Sequence, residues 1–154
     1  HVTSDVADMQ RCNHMLVYLT DRTWTRGEDA SRELAEEVQR AMDAGVHLLL
    51  AHEMPGMEQE DRFPCEFGNF FVCDRGTTPQ ELLQRDIYGQ IAIALRGGAW
   101  RDASMVILAN AISASADDAE EMVKTAMAKT PKPMSKLRPK LPSPTPASLL
   151  LICL

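Results

Sequence analysis

Apolar runs and helical-period segments alternate along this chain. Met15-Leu16-Val17-Tyr18-Leu19 has no polar interruption. A run of that length between polar flanks suits a strand buried on both faces. The period then changes: Leu34, Val38, Ala41 and Met42 fall on one helical stripe, with Glu36, Glu37, Gln39 and Arg40 outside it. Gly45 stands where a helix-ending glycine belongs. Val46 to Ala51 forms a second apolar run, so residues 15–51 predict a parallel βαβ unit. Such sheets place ligands and partner surfaces at the carboxyl ends of their strands, which here carry Thr20-Asp21-Arg22 and His52-Glu53.

The pattern continues beyond a long aperiodic segment, 55–75, that holds all four phenylalanines. Those rings are expected to fold the segment back onto the domain; a functional loop is the alternative. Thr78, Pro79 and Glu81 predict a capped helix start. Ile91 to Leu95 predicts a third strand. Trp100 to about Ala114 predicts a helix with Met105, Leu108, Ala109 and Ile112 inward. A last helix is expected over 118–129. The fold class is therefore α/β, a three-layer sandwich with a mostly parallel sheet. Residues 1–116 read as the α/β domain, 117–130 as an extra helix, and 131–154 as a disordered Pro/Lys-rich tail, since six prolines between 131 and 146 cannot bury a core.

Charge sharpens that boundary. All 22 acidic residues lie at or before Glu121, against ten arginines there, a balance of −12. The six remaining basic residues, which include every lysine, follow without any acid. An acidic domain argues against nucleic acid as partner. No stretch approaches the roughly 20 apolar residues that span a bilayer. The tail holds Pro139-Lys140-Leu141-Pro142, the minimal spacing for a proline-recognising domain, against the simpler reading of a solvated linker. Cys12, Cys65, Cys73 and Cys153 are scattered, which reads as reduced thiols in a cytoplasmic protein. A Cys65–Cys73 pair, or a metal site joining both to His52, are the alternatives. His52 beside Glu53 is also a candidate acid–base pair.

The element order resembles the later two-thirds of a TIR domain, a flavodoxin-like signalling fold, over residues 5–114. Leu19-Thr20 stands for the family's Leu-Ser at the strand end. Ala30-Ser31-Arg32-Glu33-Leu34 stands where Cys-x-x-Glu-Leu opens a helix. The cysteine is replaced by Ala30 and the neighbouring tryptophan by Asp29. The family's first strand, helix and second strand have no counterpart before His1, so the domain is expected to be incomplete at its N-terminus. The resemblance implies a signalling or protein-interaction module that partners with TIR-like domains or with itself. It also implies, as an alternative, NAD hydrolysis with Glu33 as the catalytic residue and NAD as substrate rather than cofactor. A flavodoxin-like binder of small ligands is a further alternative. The isolated chain is expected to be inactive, because the segments that would wall the pocket are missing.

Overall fold

The computed structural model of the chain describes residues 2–3, 6–71, 78–128 and 150–152. Its sheet has five strands in the order β1-β5-β2-β3-β4: β1 Val2–Thr3, β2 His14–Leu19, β3 His47–Glu53, β4 Ile93–Leu95 and β5 Leu150–Ile152. β2, β3 and β4 are parallel. His14 to Leu19 run in register with His47 to His52, and Ala51 to Glu53 with Ile93 to Leu95. β5 is antiparallel to both β1 and β2. The apolar runs thus became strands, and they did so because helices cover both faces.

Alternation along β2 and β3 divides the core in two. Met15, Val17, Leu19, Leu48 and Leu50 face α1 (Glu28–Asp43), which buries Ala35, Val38 and Ala41 against them. Leu16, Leu49, Ala51, Ile93 and Leu95 face the other way. They meet Leu108 and Ala111 of α3 (Arg101–Ser113) and Ala119 and Val123 of α4 (Ala116–Ala128). The result is three layers: helix, sheet, helix.

Local chemistry sets the ends. Gly45 adopts φ 69°, a conformation that costs other residues. Its N–H donates to Met42 O, and that of Val46 to Ala41 O, closing α1 in a glycine-terminated helix motif. Ser115 Oγ accepts from the Asp118 backbone N–H and donates to the Asp118 carboxylate, starting α4 after a two-residue turn.

Several expectations are corrected. The third strand begins at Ile93, and Ile91 is exposed before it. The helix after Thr78, α2 (Gln80–Gln84), has no side-chain cap: the Thr78 hydroxyl is turned to Tyr88 Oη at 2.6 Å. Ala109 lies outside, and Ala111 and Ser104 are buried instead. Leu150–Ile152, assigned to the tail, form β5, because the open edge of β2 offers ladder partners to an apolar run. The rest of the Pro/Lys-rich stretch, 129–149, lies outside the described residues. Cys12 is disulfide-bonded, against the expectation of reduced thiols; spacing along the chain does not report distance in the fold. Cys65 is a free, buried thiol, and Cys73 lies outside the described residues. No described helix is long and apolar enough to cross a membrane.

Candidate functional site

β3 ends on a fully buried carboxylate. Glu53 sits on the face that looks toward α3. Burying an anion is costly unless donors replace its water. Three side chains do so. Tyr18 Oη, from the end of β2, donates to Glu53 Oε1 at 2.7 Å. Arg101 Nη1, from the first turn of α3, reaches Oε1 at 2.7 Å and Oε2 at 2.8 Å. Gln59 Nε2 donates to Oε2 at 2.8 Å and also to Leu95 O of β4 at 2.8 Å. The cluster ties together β2, β3, β4, α3 and the loop after β3.

Its electrostatics follow. Burial, the hydrogen bond to Glu53 and that carboxylate's charge all push the Tyr18 phenol well above its ordinary range. The Arg101 guanidinium balances Glu53, so the cluster is neutral and charge-assisted. Gly97 is required for the close approach: a Cβ there would collide with Met57 O and the Gln59 side chain. Gln59 is buried, and its Oε1 accepts no hydrogen bond from a described residue. With its oxygens occupied by donors, Glu53 holds elements together and is poorly placed to take a proton from a substrate.

His52 belongs to the opposite face, because neighbours on a strand point to opposite sides. The structure therefore separates the His52–Glu53 pair that adjacency in the chain suggested. His52 Nε2 donates to Cys65 O at 2.8 Å, and its ring meets Phe67 and Phe70 edge-on at 5.2 and 5.6 Å. Burial lowers its pKa, against the opposing pull of the Cys65 carbonyl, Glu53 and Glu66. Cys65 Sγ lies 3.9 Å from His52 Nε2, but burial first, then Asp21 and Glu66, push the thiol up to about 11. A neutral thiol beside a neutral imidazole is not an activated nucleophile. Among the described residues no group of His, Cys, Asp and Glu is arranged to hold a metal.

The phenylalanines fold their segment back as expected. Phe67, Phe70 and Phe71 pack around Tyr88, whose hydroxyl accepts from Trp24 Nε1 at 3.0 Å. Phe63 instead lies under the Arg22 guanidinium, 3.3 Å from its centroid. The Asp21 backbone N–H donates to Phe63 O and that of Cys65 to Glu53 O, so this segment covers the carboxyl ends of β2 and β3.

Glu33 lies in the second turn of α1, exposed, with Glu37 within electrostatic reach. An open groove of about 870 Å³ does run beside the start of α1, but Trp24, Glu28, Ser31, Arg32, Glu36 and Glu81 line it and Glu33 does not. Arg32 there is engaged with Asp29 at 2.7 Å and Glu36 at 4.0 Å. Sequence reasoning found Glu53 but missed Tyr18, Gln59 and Arg101 as its partners. The available signal was an arginine opening a helix after Gly97-Gly98, opposite a strand-end carboxylate. Comparison with known proteins gives no match to a family model, a curated protein or a solved structure.

Proposed function

We propose that the chain is a TIR-like interaction module that signals through self-association rather than by turning over a substrate. The observation that carries this reading is the uncovered side of the sheet. β4 is the outermost strand on its side, and among the described residues no strand pairs with its outer edge. Ile91, just before it, is 44% exposed. α3 packs on β4 and is apolar nearly all round, with Val106 59% exposed. A helix of that character is normally covered, and an open strand edge is a template for another chain. The element order β2-α1-β3-α2-β4-α3, with α1 and α3 on opposite faces, supports the TIR-like part of the proposal. A small-ligand site at the strand ends has less support, because Gln59 and Met57 fill the space beside Gly97.

The test is the mass of the chain in solution by sedimentation across a concentration series, with Ile91→Lys and Val106→Asp. The expected result is a reversible dimer that the variants shift toward monomer, with thermal unfolding unchanged. A wild-type chain monomeric throughout, or a dimer untouched by both variants, overturns the proposal.

A further inference from the structure

The groove beside the start of α1 belongs to the helix layer on the opposite face of the sheet from α3. Its floor is apolar and fixed. Trp24 is buried, and its indole N–H donates to Tyr88 Oη at 3.0 Å. Ala35 of α1 and Pro79, just before α2, complete the floor. The Ser31 hydroxyl donates to Trp24 O at 2.9 Å, which ties the Trp24 loop to α1. An apolar floor inside a polar rim marks a surface that takes a partner.

The rim is acidic. Glu28, Glu36 and Glu81 line the groove, all exposed, and Asp29 follows Glu28 in the first turn of α1. Arg32 is the basic residue of the described lining, and its guanidinium is shared between Asp29 at 2.7 Å and Glu36 at 4.0 Å. The amino end of a helix carries about +0.5 elementary charge and ordinarily draws an anion. Here Glu28 and Asp29 outweigh it. The groove therefore repels phosphates and carboxylates and favours cations.

The geometry points to a docking groove for an extended, basic, proline-containing peptide of a partner protein. Along α1, Glu28 and Glu36 lie about two turns, or about 12 Å, apart. A polyproline II segment rises about 3.1 Å per residue, so about four residues cover that distance. Two basic residues three apart project from one edge of such a segment, about 9 Å from each other. Their long side chains reach Glu28 and Glu36 while their stems lie along the groove. The prolines between them rest on Trp24 and Pro79, and a preformed extended conformation loses little entropy on docking.

This surface is separate from the β4 edge and adds a partner other than the chain itself. Residues 129–140 of the chain are also basic and proline-bearing. The α4 helix that leads into them packs on the opposite face of the sheet, with Ala119 and Val123 in the core that contains Leu16 and Leu49. A partner's segment is therefore the occupant proposed, and the chain's own segment is an outcome of the test.

The experiment is a titration of the full chain with the peptide Pro-Lys-Pro-Pro-Lys-Pro-Pro, followed by 1H–15N spectra. Two tryptophans report through their indole N–H signals: Trp24 in the groove and Trp100 just before α3. Expected is a saturable shift at Trp24 and at amides 25–36, with Trp100 unmoved. A Glu28→Lys, Glu81→Lys double variant, changed only at exposed positions, should bind about tenfold more weakly and unfold at the same temperature. Affinity should also fall as salt rises from about 0.01 to 0.15 M, where the screening length drops from about 30 to 8 Å. The same peptide with glutamate for lysine should not bind. No saturable shift, a shift centred on Trp100, or equal binding by the glutamate peptide or the double variant overturns the proposal. So does spermine saturating the Trp24 shift at the same concentration, which would leave a cation site only. Trp24 and α1 signals that move with salt alone, no peptide present, would assign the groove to the chain's own 129–140 segment and also overturn it. If the double variant fails to fold, the salt dependence and the glutamate peptide decide.

Discussion

Arg101 and Glu53 show how one residue at a time secures the strand ends. Removing Arg101 takes away the cation paired with a buried carboxylate. Arg101→Ala should therefore cost about 3–5 kcal/mol in urea unfolding. Adding Glu53→Gln should recover part of that loss, since the uncompensated charge is gone. An additive double variant would show that the two do not act as a pair. Tyr18 gives a pH signature. Its phenol is raised in the folded state, so the stability it lends is complete below about pH 10, the unfolded value. It is lost as pH rises beyond that, by no more than about 1.4 kcal/mol per pH unit. Tyr88, raised chiefly by burial and held by Thr78 and Trp24, behaves alike. Tyr18→Phe should flatten the alkaline arm of a stability–pH curve, and an unchanged arm would place its cause elsewhere. Cys12 is disulfide-bonded, and losing a native disulfide typically costs about 2–5 kcal/mol, so Cys12→Ser should lower the urea midpoint.

Among the elements, β2, β3 and α1 were readable because their patterns are local and strong. Unbroken apolar runs specify strands buried on both faces, and Val38 with Ala41 specifies the inner stripe of α1. α3 was harder to orient. Met105-Val106-Ile107-Leu108 is apolar on every side, so periodicity does not pick the inward face, and Ser104 took a place there by satisfying Arg96 N–H and Trp100 O. β5 was not readable, since three apolar residues after a proline-rich stretch become a strand only when β2 is present to pair with them. The Glu53 cluster was half readable: a strand-end carboxylate is visible in the chain, but its donors come from positions 18, 59 and 101 and meet only in the fold. Gly45 offers an element-scale check. Gly45→Ala forces a side chain into positive φ and should cost about 1 kcal/mol. No loss in thermal unfolding would mean that the α1 terminus tolerates a different turn.

For the whole molecule, the carboxyl ends of the strands are closed by the molecule's own side chains, and Glu33 stands apart in solvent. Nicotinamide release from NAD is therefore expected to stay at the buffer background, with Glu33→Ala indistinguishable from wild type. Release that this substitution abolishes would restore the hydrolase reading. The two sides of the sheet also differ, and the difference governs how large an assembly can grow. Among the described residues, on one side β5 runs against β2 and the two-residue β1 lies beyond it; on the other, no strand pairs with the outer edge of β4. A body with a single adhesive edge meets its copy across a two-fold axis and then has nothing left to offer. Such pairing terminates, whereas a head-to-tail contact would propagate into a filament. Light scattering should level off at twice the chain mass however concentrated the solution becomes.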